Sequence, residues 1–282
     1  MKFMTFNRSC AYAGVANLLE KFAIDKQDRD IAIEMKLPYF FYYDQNEKEY
    51  QAGPQLQNKV WFDLYLRPLG LEFIEKKLTK AALPAFLRNA VHNLMLGINI
   101  GNGRHTVVFQ RYVEPKYIFL NMMHAYGNEN PEISFTEAGL KAAVDEQVQF
   151  GYLQKDEKII PLLDDIFCAS IEYWKQYLHE VTEYMLIEQS SNSLAEHQEK
   201  FFAPLFLDTF SMMELLQEAE LVKKIAELRT SYLQAMKTQG AKQLSQWVDL
   251  NAFTAVIENI IDLIRGEYSR QPMPIKIIPR KI

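Results

Sequence analysis

Three residues of this chain have the types and the order that thiol-based acyl transfer needs: Cys10, His105 and Asn121. Cys10 sits in NRSCAYAGVANLLEKF, at what reads as the first turn of a helix. Ser9 or Asn7 caps that helix, because their side-chain oxygens accept from the exposed backbone donors of the first turn. Ala11, Val15, Leu18, Leu19 and Phe22 recur at helical spacing and define one apolar stripe. Cys10 lies off the centre of that stripe, so the packing of the helix does not explain it. A helix N-terminus presents unpaired N–H groups and the positive end of the macrodipole, which favour the thiolate that attacks carbonyls. The competing reading is a small buried residue, the commonest use of free cysteine.

A thiol of this kind needs a base. His105 opens an expected strand directly after the turn Gly101-Asn102-Gly103-Arg104, where an imidazole can face a cleft. Imidazole exchanges protons near neutral pH, so it can take the thiol proton and return it to a leaving group. His92 falls in a helical pattern and reads as structural; His124, just past the next strand, is a rival. Asn121 ends the strand expected to pair beside that of His105. The turn near 113–116 brings it to the same end of the hairpin, where an amide oxygen can fix the imidazole tautomer. An ordinary polar residue ending a strand is the plainer reading of Asn121.

The elements that must position these residues follow from the pattern. Residues 94–100, 105–112 and 117–121 are apolar, β-branched and aromatic, with turn residues between them, and predict a three-stranded antiparallel meander. Helices are expected over 28–35, 55–66, 80–93 and 134–147. The chain changes character near residue 155. Beyond it, about four helices are expected over 162–187, 194–218, 221–237 and 244–268, with Pro204 kinking or splitting the second. The tail QPMPIKIIPRKI carries three prolines and reads as extended.

The arrangement resembles the papain-like cysteine peptidases. The short spacing is nearer to the bacteriocin-processing (double-glycine leader) peptidases and the butirosin-type acyltransferases. SCAYAGVANLLEKFAID is similar to their nucleophile helix, and GRHTVVFQRYVEPKYIFLN to their histidine-to-Asn/Asp hairpin. The resemblance covers roughly residues 1–150. It implies Cys10 as nucleophile, His105 as general base and acid, and Asn121 as the orienting residue. Two positions depart from the family pattern. Met4 stands where the processing peptidases place a glutamine oxyanion donor, and Ala11 follows the cysteine in place of glycine. Asn7, with the Cys10 N–H, is the nearest substitute donor.

The expected fold is α+β: a papain-like domain over 1–155, a helical domain over 156–268 and a tail over 269–282. The function expected is a thiol-dependent acyl-transfer enzyme, peptidase, amidase or acyltransferase, acting on a peptide or an acyl-carrier protein. The alternative is an inactive papain-like module that binds a peptide or docks a partner. Tyr39, Tyr42 and Tyr43, in the run LPYFFYYDQNEKEYQAGPQLQ, are candidates for lining a substrate groove; packing between the two halves also accounts for them and is the plainer reading.

Composition bounds the rest. A chain of 282 residues, 49% hydrophobic and 24% charged, supports a substantial core. A formal charge of −5 gives no footprint for nucleic acid. No run of 18 apolar residues spans a membrane and no signal peptide is read, so a reducing cytoplasmic setting is expected. Two cysteines make neither a disulfide framework nor a zinc site, and Cys168 reads as core. No cofactor is expected: no Walker motif occurs, GINIGNG reads as a hairpin turn, and His179-Glu180-x-x-Glu183 lacks the second histidine of a zinc motif. Nothing in the sequence speaks to oligomeric state.

Overall fold

The computed structural model describes residues 2–101, 103–123, 131–156, 164–190, 193–194, 197–238 and 240–270. His124, Asn102 and the tail from 271 onward lie outside the described residues. The fold is α+β. The chain divides into two compact units that exchange segments. The first holds Met1–Pro38, Gln51–Pro161 and Leu207–Glu218; the second holds Tyr39–Tyr50, Leu162–Phe206 and Ala219–Ile282.

The first unit opens with α1 (Cys10–Leu19) and α2 (Asp28–Glu34). A hairpin of β1 (Phe41–Asp44) and β2 (Glu49–Ala52) crosses to the second unit and back. Then follow α3 (Lys59–Leu66), β3 (Leu71–Thr79), α4 (Leu83–Arg88), β4 (Leu94–Ile100), β5 (Gly103–Val113) and β6 (Lys116–Asn121). β7 (Glu132–Phe135), α5 (Glu137–Ala142) and β8 (Gln147–Lys155) complete the sheet. The expected β4–β5–β6 meander is the centre of a six-stranded antiparallel sheet in the order β3-β8-β4-β5-β6-β7.

Two expected helices are shorter than the sequence pattern predicts, and one strand lies where none is expected. The helix over 134–147 shrinks to α5. Ile133 and Ser134 pair with β6 before it, and Thr136 starts the helix late by accepting from Gly139 N at 3.2 Å. Past α5, Val148 and Phe150 alternate as a strand. The helix over 80–93 ends at Arg88, so His92 lies in an exposed connection, its ring stacked on Tyr152 at 5.1 Å. β3 carries little β signal, because Glu72, Glu75, Lys76 and Lys77 interrupt its apolar alternation; pairing with the whole of β8 makes it a strand.

Side chains alternate across the sheet. One face carries Leu94, Leu96, Ile98, Val107, Phe109 and Phe119 under α4 and α5, with Leu83, Leu87 and Leu140 closing that core. The other face carries Met95 and Thr106, and Gly14 of α1 packs there. A Cβ on Gly14 would stand 2.4 Å from Met95 Sδ, so glycine sets how closely the helix approaches. Phe62 of α3 meets Phe73 of β3 edge-on at 5.0 Å on the same side.

The second unit is mainly helical: α6 (Asp164–Leu186), α8 (Ala219–Lys237) and α9 (Leu250–Arg270), with a two-residue ribbon β9 (Glu188–Gln189) and β10 (Lys242–Gln243). Phe41 stacks on Trp174 of α6 at 3.7 Å, and Phe202 on Tyr232 of α8 at 3.8 Å. Around Pro204 the chain widens into π-helical turns at Gln198–Phe202 and Pro204–Thr209, then tightens into α7 (Phe210–Leu215). A proline removes an N–H from the helical ladder, which accounts for the split expected there. Cys168 is exposed, not core: it stands off the stripe of Phe167, Trp174 and Tyr177 that α6 buries.

Candidate active site

Cys10 is the first residue of α1 and is half-buried. Ser9 occupies the N-cap position, but its hydroxyl does not cap; it donates to Phe6 O (2.7 Å) and to Asp28 Oδ2 (2.5 Å). The first-turn N–H groups of α1 are therefore not taken by the side chain expected to take them. Tyr12, one residue past Ala11, is fully buried and donates its hydroxyl to Leu56 O, tying α1 to the loop that carries Gln57. Burial pushes the Tyr12 phenol well above the usual tyrosine range.

A pocket of about 380 Å³ opens in front of Cys10. Its walls are Ala11, Phe62, Phe73, Met95 and Phe150; its polar lining is Gln57, Glu75, Arg104, His105, Thr106 and Gln149. Arg104 pairs with Asp145 at 2.7 Å, so its charge is compensated. Phe73 is set by Asp63, which accepts from Phe73 N at 2.8 Å and is itself held by Lys59 and Arg67.

Of the residues singled out in sequence, Cys10 and His105 border this one pocket. His105 pairs with Ile98 and Asn121 with Val107, so His105 and Asn121 project on one sheet face, one same-face step apart. That face is opposite the one under Gly14 of α1. The His105 ring lies over Gly103, where a Cβ would stand 3.4 Å from Nε2. Asn121 is buried, its amide oxygen accepting from Met123 N at 3.2 Å, and it is not part of the pocket lining. Among the described residues no hydrogen bond joins Cys10, His105 and Asn121.

Asn7 is exposed at the tip of the turn before α1 and outside the lining; the amides that do line the pocket are Gln57 and Gln149. Sequence reasoning missed both, and Glu75, because a single Gln or Glu in a loop or strand carries no local signal. Tyr39, Tyr42 and Tyr43 pack within the second unit on Phe167, Tyr173 and Tyr50, and none lines the pocket. Among the described residues no group of three His, Cys, Asp or Glu is placed to hold a metal, and no helix is long and apolar enough to cross a membrane.

Fold and pocket define an α+β protein with a thiol bordering a mixed polar and aromatic pocket. Two solved structures are similar to it. The peptidase domain of Streptococcus ComA, a bifunctional ABC transporter involved in quorum sensing, matches with a TM-score of 0.39 at 10% identity, over 53% of this chain and 95% of that one. A double-glycine motif protease from an AMS/PCAT transporter, in complex with its leader peptide, matches with a TM-score of 0.36 at 9% identity, over 53% of this chain and 89% of that one. No protein-family model and no curated protein matches the sequence.

Proposed function

We propose that the chain is a papain-like thiol-dependent acyl-transfer enzyme with Cys10 as nucleophile. The observation that carries this reading is that Cys10, at the start of α1, and His105 border the same pocket. The Cys10 sulfur attacks a substrate carbonyl, and His105 takes the thiol proton and passes it to the leaving amine or thiol. The acyl group, held as a thioester on Cys10, then leaves to water or to an amine. Asn121 orients His105 from the neighbouring strand. The Cys10 N–H and an amide of Gln57 receive the developing oxyanion. A peptide or an acyl-carrier protein is the substrate that a pocket open to solvent admits. No cofactor enters these steps.

A second reading has its own observation. His105 projects on the sheet face opposite α1, which suits a papain-like module that grips a peptide or docks a partner without turnover.

The deciding experiment is the pH dependence of iodoacetamide labelling at Cys10 and Cys168, read by peptide mass spectrometry in wild type and His105→Ala. Exposed Cys168 is the internal control. We expect Cys10 to label faster than Cys168 at neutral pH, and to lose that advantage in His105→Ala. Equal profiles in wild type and mutant exclude the Cys–His pair and leave the binding module.

A further inference from the structure

The turn that delivers Cys10 is held far more tightly than a surface turn requires. Met4 N donates to Met122 O at 2.9 Å. Thr5 gives Asp28 two bonds, from N at 2.7 Å and from Oγ1 at 2.6 Å, and Ser9 Oγ gives it a third at 2.5 Å. Arg8 pairs with Asp208 Oδ2 at 3.3 Å across 200 residues of sequence. Asp28 and Asp208 are 0% and 1% exposed. Ser9 is buried and Arg8 half-buried, while Thr5 and Asn7 are exposed.

Two features mark this as more than packing. Burying a carboxylate is costly, and an apolar residue would fill the space without that cost, so the carboxylates are kept for the directions they impose. Arg8 also holds φ +58°, a left-handed conformation that a non-glycine residue keeps only where its surroundings over-determine it. Both constraints converge on the two residues before the thiol. Asp208 reaches them from Leu207–Glu218, the one stretch of the later sequence that belongs to the first unit.

We propose that Asp28 and Asp208 are positioning residues: through Ser9 and Arg8 they fix the turn so that the Cys10 thiol and backbone N–H present to the pocket. The inference rests on Cys10 being the nucleophile.

The sign of the Asp208 effect separates positioning from charge. If Asp208 acts only as an anion, Asp208→Asn removes a negative charge near the thiolate and speeds alkylation. Positioning predicts the reverse. The test is the iodoacetamide pH–rate profile of Cys10 in wild type, Asp208→Asn and Ser9→Ala, with Cys168 as control. Amide hydrogen exchange over residues 4–12 is followed on the same samples, and variants are compared only where far-UV circular dichroism and Tm show a folded chain. The expected result is a roughly two- to fivefold slower Cys10 reaction at neutral pH in both variants, the size of a lost helix-terminus alignment, with faster exchange over 4–12 and unchanged Cys168. Unchanged or faster Cys10 labelling overturns the proposal. If wild-type Cys10 reacts no faster than Cys168 while exchange still rises in the variants, the clamp is structural only; the nucleophile reading and the positioning role fall together. If a variant does not fold, the other one decides, since Ser9→Ala removes no charge and Asp208→Asn removes no volume.

Discussion

Gly151 of β8 stands opposite Glu75, and a Cβ there would lie 2.0 Å from Phe73 Cζ. Phe73 is 2% exposed and forms a pocket wall, so its ring cannot give way without closing the space before Cys10. We expect Gly151→Ala to cost about 1–3 kcal/mol by overpacking and to slow entry of bulky acyl donors to Cys10. Gly14→Ala should cost less in stability: its Cβ meets Sδ of Met95, a flexible side chain that yields more readily than a ring. Thermal denaturation of the two variants, with Cys10 labelling by a small and a large reagent, tests the order. The catalytic expectation at this scale is that Gln57→Ala slows acyl transfer by roughly 10- to 1,000-fold if its amide receives the oxyanion, and leaves iodoacetamide labelling unaltered, since alkylation forms no oxyanion.

α3 and β3 are joined by charge as well as by rings. Asp63 receives Phe73 N while Lys59 and Arg67 each reach both Asp63 and Glu72. Asp63→Ala leaves a buried N–H and two cations short of an acceptor, and should cost about 2–3 kcal/mol; Asp63→Asn keeps an acceptor for Phe73 N and should cost less. At the other end of the same helix, Asn58 caps by accepting from Val60 N at 3.0 Å and from Trp61 N at 3.4 Å. Asn58→Ala should cost about 1 kcal/mol. Urea unfolding curves of the three variants give the ranking. The helix itself is visible in the sequence, but the strand it serves is not: β3 becomes a strand through β8, whose paired residues lie 68 to 84 positions further on, and a local pattern holds no record of so distant a partner.

Across the described residues burial raises several phenols, and two of them lie wholly inside the protein. Tyr12 in the first unit and Tyr177 in the second are fully buried, and desolvation raises both well above the ordinary range. In the folded chain these phenols keep their protons at pH values where the unfolded chain gives them up. Their contribution to stability is therefore complete below about pH 10, the unfolded tyrosine value, and is lost as pH rises beyond it. Tyrosinate absorbance should include a cooperative step coincident with loss of circular dichroism above that pH. Tyr12→Phe should shift the step upward while costing about 1 kcal/mol at neutral pH, because Leu56 O loses its donor.

The sequence alone determined the α+β class, the β4–β5–β6 meander, the helix that begins at Cys10, and a helix distortion at Pro204. Each depends on neighbours within a few residues: periodicity, turn chemistry, or a missing N–H. It also named Cys10 and His105, which border one pocket, because a thiol at a helix start and an imidazole after a glycine turn are local features. Tertiary structure alone decided which sheet face each side chain takes and that Gln57, Glu75 and Gln149 line the pocket where Asn7 does not. It also decided that Leu207–Glu218 belongs to the first unit, with Asp208 on Arg8. Those outcomes are set by strand register and by contacts between residues up to 200 positions apart, and a one-residue change of register sends a side chain to the opposite face.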